Sequence, residues 1–129
     1  MIRGTTTTFK FTLPYHKDEF TWVRIKFWQP NNPSDLLPII KIKDDCGTTD
    51  NPKELVVSLT AEETSRFLDK YKAKMQLRAS HALTGRVLGT TEQTVTVYPM
   101  PDDMIAEDPS IPPADENGLV VFDGGSIVD

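Results

Sequence analysis

Apolar residues recur at every second position through most of the first hundred residues, the spacing that places side chains on one face of a β-strand. Clusters of proline, glycine, asparagine and aspartate interrupt the alternation at the spacing expected of turns. Residues 86–98 form one long predicted strand or a strand broken near Gly89. The pattern predicts strands over residues 5–13, 20–28, 36–43, 53–59, 71–78 and 86–98. We therefore expect an all-β fold, an immunoglobulin-like sandwich of six to seven strands.

Each predicted strand has an apolar and a polar side. In residues 20–28, Val23, Ile25 and Phe27 share one face, while the two tryptophans and two basic residues occupy the other. The apolar positions of the other strands are Phe9, Phe11 and Leu13; Ile40 and Ile42; Leu55, Val57 and Leu59; Tyr71, Ala73, Met75 and Leu77.

A short helical turn is predicted after the fourth strand. Thr60 precedes Ala61 and Glu62, and Glu63 follows at the third position, which is the pattern of a capping box. The Thr60 hydroxyl can accept a hydrogen bond from the Glu63 amide, and the Glu63 carboxylate from the Thr60 amide. We expect one or two helical turns, to about Leu68, that cross from one sheet to the other.

The composition changes after Tyr98 and divides the chain into a sandwich domain (1–98) and an extended C-terminal arm (99–129). Five of the ten prolines and eight of the nineteen acids lie in residues 99–129, which hold no Lys or Arg. Such a segment buries too little apolar surface to fold alone. Two apolar islands near its end predict a strand that adds to another subunit's sheet edge, or that folds back onto its own body. The island residues are Leu119, Val121, Phe122, Ile127 and Val128.

Charge separates body from arm. Residues 1–100 contain all fourteen Lys and Arg against eleven acids, a balance of +3, within a chain of net charge −5. Body and arm could attract one another, within one chain or between copies. An excess of three positive charges is weak evidence for nucleic-acid binding, so no direct nucleic-acid partner is expected. No apolar run approaches the roughly 20 residues of a membrane span, so no membrane contact is expected either.

The residue types of catalytic and metal sites lack the necessary spacing. His16 and His81 lie in predicted turns and are interpreted as surface residues. Cys46 lies in a predicted loop beside Asp45, which should raise the pKa of its thiol and make it unreactive. Neither zinc-type nor calcium-loop spacing occurs. We expect no catalytic residue, no metal, no cofactor and no enzymatic activity.

Trp22 and Trp28 are the candidate partner-binding residues of the body. Six positions along one strand place them on the same face, about 20 Å apart. One of them could cover the second sheet while the other anchors a partner protein. As a third possibility, Trp22, Trp28 or Tyr98 could stack on a sugar.

Three segments resemble a family of small uncharacterised proteins encoded among the virion structural genes of bacteriophages and prophages. Members of this family commonly carry RGTTPTF-F-LP, then LTQEET-F, then V-IQLR. The resemblance covers residues 1–98 and leaves the acidic arm outside. Here Thr7 replaces the usual proline and Ala61 the usual glutamine. The matching segments are residues 2–14, 57–67 and 75–78.

The resemblance implies a component of the virion head, neck or tail, assembled in the host cytoplasm, with a sandwich similar to the N-terminal modules of baseplate proteins. It brings no catalytic residues. The expected partners are other virion proteins and copies of the chain itself, in a homo-oligomer within the particle. The sandwich would dock on other particle proteins while the arm links neighbours. The alternative function is a host-surface adhesin or carbohydrate-binding module.

Overall fold

The chain forms an all-β sandwich of two sheets in the computed structural model, which describes residues 1–69 and 71–99 and the backbone of 119–122 and 127–128. One short helix joins the sheets. The elements in chain order are β1 (Thr7–Thr12), β2 (Phe20–Trp28), β3 (Ile39–Ile42), β4 (Gly47–Thr48), β5 (Glu54–Leu59), α1 (Ala61–Ser65), β6 (Ala73–His81), β7 (Val87–Thr90), β8 (Gln93–Val95), β9 (Leu119–Phe122) and β10 (Ile127–Val128).

The smaller sheet has the strand order β4-β5-β1-β9, and the larger sheet has the order β10-β7-β6-β2-β3 with β8 also paired to β6. Neighbouring strands are antiparallel except β1 and β9, which are parallel. The predicted all-β sandwich architecture is confirmed. The finer assignment to an immunoglobulin-like topology stays a prediction.

The core lies between the two sheets and consists of the inward residues of the alternating strands. Phe9 of β1 and Phe27 of β2 meet across it with ring centroids 4.9 Å apart. The predicted apolar faces of β1, β2 and β5 are buried, as the periodicity indicates. Burial of these side chains is the main force that holds the sheets together.

The inward and outward positions of β3 are the reverse of those that the sequence predicts. Ile40 and Ile42 are exposed, while Ile39 is buried. In the antiparallel register, Ile40 lies opposite Lys26 and Ile42 opposite Arg24, so both isoleucines share the outer face of the sheet. Ile39 supplies the inward position, and an apolar pair alternating with lysines does not reveal which side is buried.

The bounds of β6 differ from the prediction. Tyr71 precedes β6 and is exposed, whereas β6 continues through Ala79 to His81. The last predicted strand is broken near Gly89, as the sequence indicates, directly after Thr90. Gly89 itself is part of β7, where an added Cβ would lie 3.1 Å from the backbone oxygen of Leu77. A glycine allows β7 to approach β6 closely there.

The capping box is present as predicted. The Thr60 hydroxyl accepts from the Glu63 amide at 3.2 Å, and the Glu63 carboxylate accepts from the Thr60 amide at 2.9 Å. The helix ends sooner than expected, at Ser65. Thr64 is buried on the inner side of α1, and its hydroxyl donates to the Thr5 carbonyl at 2.7 Å, which fixes α1 to the segment just before β1.

The backbones of β9 and β10 pair with strands of the same chain, at one edge of each sheet. This is the fold-back arrangement that the sequence left open beside donation to a neighbour. Most of the predicted arm, residues 100–118, 123–126 and 129, lies outside the described residues, as does Lys70.

Candidate docking surface

The outer face of the larger sheet carries exposed apolar residues beside a pair of arginines. Trp22 and Arg24 project from β2, Ile40 and Ile42 from β3, and Arg78 from β6. These five residues line a groove of about 600 Å³, which we call the outer groove. Thr21, Val23, Lys43 and Asp44 complete its lining.

The apolar side chains of the outer groove are unusually accessible for their size. Trp22 is 41% exposed, Ile40 39% and Ile42 50%. Single exposed apolar residues are common on protein surfaces, but a contiguous group in a concave site is typical of an interaction surface. A partner that covers the three side chains would remove a substantial apolar area from water.

The two arginines of the groove lie side by side on neighbouring strands. Arg24 and Arg78 are directly opposite each other in the β2–β6 register, an arrangement that like charges disfavour. None of the ion pairs formed among the described residues includes either guanidinium. Asp44, which follows β3 in the chain, also lines the groove. The arginines are thus available to pair with acidic groups of a partner.

The surface continues from the outer groove along the sheet. A second depression of about 370 Å³ shares Arg24, Ile40 and Arg78 with the groove and extends to Lys26 and Gln76. A third extends from Arg78 across β7. The outer face is therefore one continuous basic and apolar surface that spans several strands.

The structure separates the two predicted tryptophan sites. Trp22 lines the outer groove, whereas Trp28 is half-buried, and the Lys26 ammonium lies 4.9 Å from its ring centroid. Neither tryptophan belongs to the core cluster, so the idea that one of them covers the second sheet is wrong. The reason is the β2 register, which turns Val23, Ile25 and Phe27 inward instead.

The predicted C-terminal partner residues lie on the two edge strands. The backbone of Leu119, Val121 and Phe122 is in β9, and that of Ile127 and Val128 is in β10. The structure describes only the backbone of these residues. The strand register pairs Leu119 with Thr8 and Ile127 with Thr90.

Cys46 lies in a loop, as predicted, between β3 and β4, but its side chain belongs to the core. Its side chain is buried, and burial raises the pKa of the thiol to about 11, an effect to which the nearby Asp45 carboxylate adds and which Lys17 opposes. The thiol donates to the Ile42 carbonyl at 3.3 Å. The low reactivity expected of this thiol therefore follows mainly from burial, and the acidic neighbour contributes less.

His81 is buried, so its assignment as a surface residue is wrong; His16 is exposed as predicted. The His81 ring stacks on Tyr15 with centroids 3.8 Å apart. Its Nδ1 lies 3.0 Å from the Thr84 hydroxyl, and its Nε2 lies 3.6 Å from a Glu19 carboxylate oxygen. His81 is an inward position at the end of β6, two alternation steps beyond Leu77, the last inward residue that the sequence assigns to the strand.

The cluster around His81 joins two turns. The His16 amide hydrogen bond is the main cause of a lowered pKa at Glu19, and His81 adds to the effect while partial burial opposes it. The Thr84 hydroxyl also accepts from the Arg86 amide at 3.3 Å within its own turn. With Tyr15 and Phe20 covering the ring, we interpret the group as an anchor between the turn before β2 and the turn after β6.

Within the described residues, no group of three or more His, Cys, Asp and Glu side chains could hold a metal ion. The helices of that part of the chain are too short and polar to cross a membrane. Scans of the full chain against protein-family models and against curated proteins find no match.

Proposed function

We propose that this chain is a structural subunit of a bacteriophage virion, which docks on another particle protein through the outer groove. The observation that carries the docking role is the contiguous exposed group of Trp22, Ile40 and Ile42 beside two arginines without a carboxylate partner among the described residues. The virion context comes from the resemblance of residues 1–98 to phage structural proteins.

The composition of the groove fits a protein partner. Tryptophan and arginine are the residue types most enriched among those that dominate binding energy in protein interfaces. Trp22 would insert its ring among apolar side chains of the partner, while Arg24 and Arg78 would pair with carboxylates at the rim. We therefore infer a partner surface that combines apolar and acidic residues.

The chemistry of the surface favours docking over glycan binding. A sugar-binding module would use open aromatic faces, and Trp22 is sufficiently exposed to offer one. At Trp28, however, the ring already has the Lys26 ammonium over it, so the pair does not form two free platforms. The glycan alternative then rests on Trp22 and on the half-buried Tyr98.

Particle incorporation tests the proposal. The gene would be deleted from the phage or prophage that encodes it and supplied in trans as wild type or as Trp22→Ala combined with Arg78→Glu. Quantitative mass spectrometry of purified particles then measures copies per virion. We expect at least a tenfold loss of the variant, because it removes the apolar anchor and reverses a charge at the interface.

Leu83→Ala is the matched control. Leu83 is 80% exposed in the turn after β6 and does not line the outer groove, so this variant should enter particles normally. Absence of the wild-type chain from purified particles would overturn the virion role. Normal incorporation of the Trp22 and Arg78 variant would overturn the docking surface, and glycan-array binding that Trp22→Ala abolishes would favour the adhesin alternative.

A further inference from the structure

The two C-terminal strands each cover an edge of the sandwich. β9 lies outside β1 in parallel pairing over Thr8↔Leu119 to Phe11↔Phe122. β10 lies outside β7 in antiparallel pairing at Thr90 and Gly89. Without β9 and β10, β1 and β7 would become the edge strands of their sheets. We call the pairing edges of β1 and β7 the two seats.

Each seat lies on a strand that carries core residues. Phe9 and Phe11 of β1 are fully buried, and so is Leu88 of β7, so the strands that carry the seats are part of the core. An open edge beside such strands presents a row of unpaired backbone N–H and C=O groups, which readily pairs with any available strand. The occupant does not have to come from the same chain, because the backbone hydrogen bonds are the same in either case.

The connecting sequence is long enough for exchange between copies. Residues 100–118 separate the last described body residue, Pro99, from β9, and nineteen residues span at most about 65 Å. That reach exceeds the diameter of a domain of this size. Within one chain the tether gives the strands an effective concentration on the order of millimolar at their own seats. A neighbour's seats compete when copies are held at a similar local concentration, as they are in an assembled particle.

We propose that the seats on β1 and β7 take residues 119–122 and 127–128 of a second copy when copies are crowded, so that each chain completes the sandwich of its neighbour. This inference rests on the proposed role as a particle subunit, because it specifies how neighbouring copies are linked. The dilute chain is a closed monomer, and the assembled chain is a strand-exchanged oligomer.

Site-directed disulfides test the exchange at a register pair. In a Cys46→Ser background, Thr8→Cys is placed in one chain and Leu119→Cys in a second chain of different tag length. These positions are direct partners in the β1–β9 register, and neighbouring strands are about 4.8 Å apart, within the range that a disulfide spans. The two chains are unfolded and refolded together, so that slow release of the strands cannot hide exchange, and are then oxidised.

We expect a mixed disulfide between the two chains at about 1 mM protein and at most a tenth of that yield at about 10 μM. The control mixture pairs Thr8→Cys with Ile127→Cys, which are not register partners, and should give little mixed product at either concentration. Equal yields from the matched and control mixtures would overturn the proposal, because they would show random collision.

A single chain that carries both Thr8→Cys and Leu119→Cys separates the possible failures. If it closes internally at 10 μM while the mixture never cross-links at 1 mM, the seat is correct and the exchange is overturned, with the docking role of the outer groove untouched. If the double variant forms no internal disulfide, β9 does not pair with β1 in this register, and the inference is overturned. Normal particle incorporation of the oxidised, internally closed chain would also overturn it.

Discussion

Gln29 connects two loops through a side chain whose polar atoms are fully used. Its Nε2 donates to the Leu68 and Tyr71 carbonyls at 2.6 and 2.7 Å. Its Oε1 accepts from the Leu68 amide and from the Asn32 side chain, each at 2.7 Å. The residue is buried. The sequence places Gln29 at the start of a turn, with no indication that it ties that turn to the segment before β6.

Replacing Gln29 should destabilise the chain strongly. Gln29→Leu keeps the size but removes the partner of the Leu68 amide and of the Leu68 and Tyr71 carbonyls, in partly buried positions. We expect a loss of about 2–4 kcal/mol in the free energy of unfolding, measured by urea denaturation. In the control Gln93→Leu, the lost side chain bonds to Thr91 alone among the described residues, and the loss in the free energy of unfolding should stay below about 0.5 kcal/mol. Equal losses in both variants would contradict the bridging role.

At the scale of elements, α1 and β3 are joined through one carboxylate. Glu63 closes the capping box of α1 and also receives the Lys41 ammonium at 2.9 Å. Burial acts to raise the pKa of Glu63, but the Thr60 amide and the Lys41 charge outweigh it and hold the pKa below its ordinary value. The pairing also explains why Lys41, between two outward isoleucines, lies on the inner side of β3.

The contribution of Glu63 should depend on pH. Because its pKa is lower in the folded chain than in the unfolded chain, the stabilisation is fully present above the ordinary value of 4.5 and is lost as the pH falls through the lower folded pKa. Glu63→Gln should cost about 1 kcal/mol at pH 7 and progressively less below pH 4.5, as measured by urea unfolding across pH. A constant cost across this range would contradict the assignment.

Glu62→Gln is the matched control for that measurement. Glu62 precedes Glu63 on the same helix, but its side chain is 85% exposed and its distance to Arg66 is 3.8 Å. An exposed pair of this kind contributes little to stability. This variant should therefore unfold like the wild type at both neutral and acidic pH.

For the whole molecule, β9 and β10 decide whether β1 and β7 are edge strands. A chain that ends at residue 124 lacks β10 and opens the β7 edge, while a chain that ends at residue 98 also opens the β1 edge. We expect stepwise loss of stability and increasing self-association in that order, measured by urea unfolding and by light scattering coupled to size-exclusion chromatography. If both shortened chains stay monomeric and keep wild-type stability, the β1 and β7 edges do not need a paired strand.

Much of the fold could be predicted because strand alternation is a local property. The bounds of β2 match the prediction, and the buried positions of β1 and β5 follow from their period. The candidate site was predicted only in part. Trp22 was identified, but Ile40, Ile42 and the pairing of Arg24 with Arg78 were not, since these depend on which strands become neighbours and in what register.

Local features of the sequence suffice to predict most of the strands, the start of α1 and the division of charge between body and arm, because period, capping and composition act over a few residues. The outward direction of the β3 isoleucines, the burial of Cys46 and His81, and the pairing of β9 and β10 follow only from tertiary contacts. These outcomes depend on contacts between segments distant in sequence, and no local pattern encodes which of several apolar faces or open edges such segments will meet.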